Sequence, residues 1–128
     1  MAERLNEGKP NRREKGAAAE QAACDYLASC GYRIKDRNWR CRSGELDIIA
    51  ELGTLLVIVE VRSRSHSSRY GTAVEAVDFR KIRQVRNTAL AYLHYRQQGD
   101  RELRFDVIAI ELGTDLSVIS LQHIEGAF

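Results

Sequence analysis

The sequence predicts an α/β domain, a mixed central sheet flanked by helices, in the order α-β-β-β-α-β-β. Three observations carry that expectation. Gly16 to Ser29 is alanine-rich, with Ala19, Ala23, Tyr26, Leu27 and Cys30 at helical spacing. Glu45 to Ala50 and Leu55 to Arg62 are apolar runs joined through Leu52-Gly53, the pattern of a hairpin. Ile82, Val85, Ala89, Tyr92 and Leu93 form a helical stripe, and Arg104 to Leu112 then alternates as a strand.

The elements follow in order. Residues 1–14 are polar, contain Pro10 and show no periodicity, so a mobile tail is expected there, with one domain over 15–128. Gly31 supplies a helix stop. Tyr32 to Trp39 reads as a first strand, polar enough to lie near a sheet edge. After the hairpin, Ser63 to Ser68 is a serine- and arginine-rich loop. Thr72 with Glu75 resembles a capping box, and Asp78 is placed to cap the main helical segment, which ends near Gln98-Gly99. Ser117 to Ile124 is expected to add a fifth strand.

Composition narrows the function. The chain has 128 residues, enough for one sizeable core, with 44% hydrophobic and 30% charged residues. Its longest fully apolar run, Leu55 to Val59, is far too short for a membrane span. Glu3, Arg4, Glu7 and Lys9 stand where a signal peptide needs apolar residues, so a cytoplasmic location is expected. Cys24, Cys30 and Cys41 lack paired spacing, which fits reduced thiols better than disulfides or zinc. The net charge of +2 resides in residues 1–16, but Arg33 to Arg42 and Arg62 to Arg86 are strongly basic stretches. They are either solvated faces or a grip on a phosphate backbone.

The acids are more specific. Glu45 and Asp47 are two apart in one strand, and Glu60 stands near the end of the next. Side chains alternate along strands, so a two-residue turn at Leu52-Gly53 pairs Asp47 with Ile58 and Glu45 with Glu60. All three acids then share a face. Carboxylates within apolar strands need compensation. Arg62 or Arg64 would supply it as ion pairs; a hard divalent cation bound through oxygens is the other solution. Glu20 lies on the helix side of Ala23, Cys24 and Leu27, where it either reaches the sheet or simply favours the helix dipole.

Together these pieces are familiar. A helix with an inward Glu, a strand with an Asp and a strand ending Glu-x-basic resembles the PD-(D/E)xK phosphodiesterase superfamily and its restriction-endonuclease-like core. More closely, Gly16-Ala17-Ala18-Ala19-Glu20, Gly31-Tyr32-Arg33-Ile34, Arg37-Asn38-Trp39-Arg40, Gly44-Glu45-Leu46-Asp47-Ile48-Ile49-Ala50, Val59-Glu60-Val61-Arg62-Ser63-Arg64, Tyr70-Gly71, Lys81 and Arg104-Phe105-Asp106-Val107 resemble the bacterial YraN-like family, related by sequence to archaeal Holliday-junction resolvases. The resemblance covers about residues 16–125.

The resemblance implies roles. Asp47 and Glu60 match metal-binding acids, with the Val61 carbonyl completing the coordination and Glu20 matching the helix acid. Glu45 matches a position that supports the ligands or holds a second ion. Arg62 stands where the superfamily usually has lysine, a departure because arginine is a fixed charge and a poor general base. Lys81 on the following helix is a candidate for the displaced lysine, and Asp106 in the fourth strand for an acid that supports the ligands. The implied activity is an Mg²⁺- or Mn²⁺-dependent endonuclease acting on DNA, branched DNA included, with a homodimer as the assembly of the related resolvases. Arg62 would touch the scissile phosphate, and Arg64, Arg69, Lys81, Arg83 and Arg40 would bind the nucleic acid. The alternative is a catalytically inactive nucleic-acid-binding module that keeps the fold. Trp39 beside Arg37 and Arg40 either stacks on a base or packs at a strand edge, and His66, His94 and His123 have no spaced metal-ligand partner.

Overall fold

The computed structural model describes residues 9–65 and 78–128. Helix α1 spans Arg12–Ser29 and begins inside the expected tail. The reason is local: the Asn11 side chain accepts from Glu14 N–H at 2.8 Å, and Glu14 returns the bond to Asn11 N–H at 2.9 Å. This reciprocal capping box satisfies donors that a helix start leaves orphaned. Ala19, Ala23, Cys24 and Leu27 are buried, whereas Cys30 is the exposed C-cap and leaves the expected stripe. Gly31 follows with φ +91°, the left-handed stop anticipated from the sequence.

The strands are β1 (Arg33–Cys41), β2 (Gly44–Leu52), β3 (Leu55–Ser65), β4 (Leu103–Leu112) and β5 (Val118–Ile124), with helix α2 (Phe79–Tyr95) between β3 and β4. They form one five-stranded sheet in the order β1-β2-β3-β4-β5. Only β3 and β4 pair in parallel; the other neighbours are antiparallel. A parallel pair needs a long crossover, and α2 lies within it. The α-β-β-β-α-β-β layout of the sequence reading is therefore the observed one, with β1 at an edge. Asp78 caps α2, its carboxylate accepting from Lys81 N–H at 2.8 Å.

Each face of the sheet receives a helix. Ala19, Ala23, Cys24 and Leu27 of α1 pack on Ile48, Ala50, Val57, Val59, Ile108 and Ile110. Val85, Ala89, Tyr92 and Leu93 of α2 pack on Leu46, Ile49, Leu56, Ile58 and Phe105. The central strands are apolar on both sides because both sides are covered. Tyr92 also donates to Asp36 at 2.6 Å, tying α2 to the edge strand. Among the described residues, no helix is long and apolar enough to cross a membrane.

The hairpin register differs from the expected one. Leu52 pairs with Leu55, so the turn residues are Gly53 and Thr54 and not Leu52 and Gly53. Gly53 takes φ +61°, which suits glycine at the first turn position. The slip sets Ile49 opposite Ile58 and Ile48 opposite Val59. A slip of two residues preserves the faces. It does change partners: Asp47 comes beside Glu60 where Ile58 was expected.

Gly44 opens β2 against α2. A Cβ there would lie 2.9 Å from Thr88 Oγ1 and 3.0 Å from Gln84 Cγ, at a φ of +152°. Gly44→Ala should therefore push α2 from the sheet and cost about 2 kcal/mol. Urea denaturation reads this directly; a midpoint unchanged from wild type would show that α2 yields freely.

Candidate functional site

The site begins where the β2–β3 ladder ends. Regular pairing runs to Ile48 opposite Val59, and beyond it Asp47 Oδ2 accepts the Val61 N–H at 2.9 Å. A side chain thus replaces a backbone carbonyl, and the strands fork. Alternation breaks at the same place, since Leu46 joins Ile49 on the α2 side while Ile48 faces α1. On β1, Asn38 falls between the Arg37–Ile48 and Trp39–Leu46 pairs with φ 51°, an uncommon non-glycine conformation. Its amide donates to Glu20 at 2.7 Å.

Glu60 is 3% exposed, on the strand face covered by α2. Its Oε1 stands 3.6 Å from Lys81 Nζ, while Oε2 is buried with no hydrogen-bond partner among the described residues. Burial pushes the Glu60 carboxyl up, and the Asp47 charge pushes it further, to about 7; Lys81 and Arg62 oppose both. Burial likewise raises Asp47, with Glu20 and Glu45 adding to the rise and the Val61 N–H and Lys81 countering it. Two neighbouring carboxylates, Glu60 buried and Asp47 half-buried, cannot both ionise cheaply.

The expected single-face cluster of three acids is not formed. Glu45 pairs across the strand with Arg40, at 2.6 Å from Nε to Oε2, and reaches Asp47 only through its charge. The β1–β2 register, which sets Arg40 opposite Glu45, is the reason. Glu20 lies at the sheet as anticipated, but it is held by Asn38 and, at 3.7 Å, by Arg37. Among the described residues no three His, Cys, Asp or Glu side chains stand together as a metal cage.

Other expected contributors divide. Lys81 does reach the acids, from the first turn of α2. Arg62 follows Glu60 on β3, with Nε and Nη2 buried and without partners among the described residues. Arg83 is exposed on α2, and Arg64 lies further along β3. Arg69, His66, Tyr70-Gly71 and the Thr72–Glu75 capping box lie outside the described residues. Trp39 packs edge-on against Tyr92 with centroids 5.2 Å apart, the packed alternative of the sequence reading.

The sequence reading took Asp106 as a supporting acid of the site and missed the polar cluster that it anchors, on the α1 side of the sheet. Asp106, 0% exposed, accepts from Arg104 Nε at 2.9 Å and Gly126 N–H at 3.0 Å, and its Oδ2 lies 2.7 Å from His123 Nε2. His123 Nδ1 meets the Tyr26 hydroxyl at 3.1 Å, and Arg104 Nη2 donates to the Tyr32 hydroxyl at 2.6 Å. Arg104-x-Asp106 was the only local signal, because Tyr26 and His123 arrive from distant elements.

Fold and site define an α/β protein with a carboxylate pair, one acid buried and one half-buried, at the fork of its central hairpin. Residues 19–110 match the model of a family described as uncharacterised protein family UPF0102. A UPF0102 protein of Moorella thermoacetica is 45% identical over 117 residues, which is 91% of this chain and 97% of the relative. Those of Myxococcus xanthus and Persephonella marina are 44% identical over 117 residues (91% and 90% of the two chains) and 43% over 114 (89% and 92%). The chain belongs to the UPF0102 family, the YraN-like group that its motifs resemble.

Proposed function

We propose that this protein is a metal-dependent endonuclease of the PD-(D/E)xK type, hydrolysing DNA phosphodiester bonds, with branched DNA among its substrates. The observation that carries the reading is the Asp47–Glu60 pair at the hairpin fork, Asp47 half-buried and Glu60 buried with its Oε2 lacking a partner among the described residues. An orphaned oxygen on a buried carboxylate suits a hard divalent cation, Mg²⁺ or Mn²⁺. Asp47 and Glu60 would hold it, with the Val61 carbonyl beside them and the Glu20 charge, which without an ion disfavours ionised Asp47, adding to the negative potential that draws a cation. Bound there, such an ion neutralises phosphate charge and activates water.

The chain's own residues do the rest. Lys81 holds Glu60 and presents an ammonium to the reacting phosphate, supplying a lysine that β3 lacks. Arg62 adds a fixed charge suited to a developing phosphorane, without abstracting a proton. Arg64, Arg69, Arg83 and Arg40 contact the backbone in this reading, and a homodimer is its expected assembly.

The test is cleavage of labelled duplex, single-stranded and four-way-junction DNA with Mg²⁺ or Mn²⁺. Asp47→Asn should lower the rate by at least about 100-fold. Absence of cleavage on every substrate, or a rate indifferent to the substitution, defeats the proposal. Arg62 in the lysine position supports a second reading, a catalytically silent DNA-binding module. That reading expects salt-sensitive binding without turnover, and absence of binding at low salt removes it.

A further inference from the structure

A cleft at the start of α1 has no part in the carboxylate site. It has a volume of about 330 Å³ and is lined by Arg12, Lys15 and Gly16 of α1, by Ser63, Arg64 and Ser65 of β3 and by Leu112 of β4. Three cations and two hydroxyls meet there, and none of the lining residues is a carboxylate. Lys15 Nζ donates to Ser65 Oγ at 3.1 Å, which fixes a cation and a hydroxyl side by side.

Two further observations point to an anion. The first turn of a helix favours negative charge, yet α1 opens with Arg12, Arg13 and Lys15, and its Glu14 is consumed by the cap. Gly16 lies inside the helix, where glycine weakens it, and a Cβ there would meet nothing within 4 Å. Packing among the described residues therefore does not demand glycine. A ligand lying close against the helix backbone would.

We infer that this cleft is a phosphate subsite for the nucleic-acid strand, with Lys15 and Ser65 as its fixed donors and Arg12 and Arg64 as its charged walls. The inference rests on the nuclease reading and extends it. Ser63 and Ser65 continue β3 beyond Glu60, so at about 3.3 Å per residue they lie about 10 and 16 Å along the strand from it. The Ser63 and Ser65 side chains lie on the α1 side, with Val61, and Glu60 on the α2 side, so a strand bound in the cleft reaches the carboxylates by passing the end of the sheet. The cleft anchors the strand and sets where the cut falls.

An amide NMR titration of the whole chain, without metal, tests this with a thymidine trinucleotide and its uncharged methylphosphonate counterpart. The charged trinucleotide should move the amides of Lys15, Gly16, Ser63 and Ser65, and the uncharged one should not. Lys15→Ala and Ser65→Ala should each weaken binding about tenfold. Arg13→Ala removes a charge from the same turn but outside the cleft, and should change binding less than about twofold. Equal losses from Lys15→Ala and Arg13→Ala would mean diffuse attraction and overturn the subsite, as would shifts confined to other surfaces. No metal or turnover enters the measurement. An intact cleft response in a protein that never cuts supports the subsite and defeats only cleavage.

Discussion

Glu60→Gln should stabilise the metal-free protein above pH 7 and flatten its pH dependence. The Glu60 carboxyl is raised from 4.5 to about 7, so between those values the native state binds a proton that the unfolded chain has released. Stability is then fully present below about pH 4.5 and lost as pH rises through 7. Converted through the two pKa values, the loss is about 3 kcal/mol, and Glu60→Gln should recover most of it at pH 8, roughly 10 °C in Tm. The sign discriminates, because most substitutions of buried residues destabilise. Mg²⁺ or Mn²⁺ should raise Tm at pH 8 in the wild type and not in Glu60→Gln. Thermal denaturation from pH 4.5 to 8.5 checks both points. A flat wild-type profile would show that Glu60 is not held protonated.

Asp106→Ala should be the most damaging single change in the described structure outside the apolar core. It leaves Arg104, His123 and the Gly126 N–H facing an empty position, and breaking a buried pair by removing one partner costs about 3–5 kcal/mol. Burial alone would raise the Asp106 carboxyl, but bonds from Arg104, then His123 and Gly126, hold it below the ordinary value of 3.8. A depressed acid contributes stability that is present above the unfolded pKa and lost as pH falls through the folded one. The wild type should therefore lose this share in acid, and Asp106→Asn should lack that part of the slope. Chemical denaturation at pH 7 and pH 3 reads the difference. Equal costs at both pH values would show that the network holds by packing and not by charge.

The two networks differ in how much of them the sequence carried. Glu45, Asp47 and Glu60 stood out because acids within apolar strands are conspicuous, and Lys81 was reachable by asking where a displaced lysine could come from. The pairing of Glu45 with Arg40 was not legible, because the reading considered the β2–β3 hairpin and not the β1–β2 register that sets Arg40 opposite Glu45. The Asp106 cluster was legible only as Arg104-x-Asp106. His123 joins it through the β4–β5 pairing and Tyr26 through the packing of α1, both long-range events.

The sequence by itself determined the order of elements, the α1 stripe short of Cys30, the Asp78 cap and the sites of the hairpin and crossover helix. Those features follow from periodicity and turn chemistry, which act over a few neighbouring residues. Tertiary structure decided the hairpin partners, the fork at Asp47, the approach of Lys81 and the pairing of Asp106 with His123. It also decided that Glu60 titrates near neutrality, because that value sums burial and charges from residues far apart in the chain.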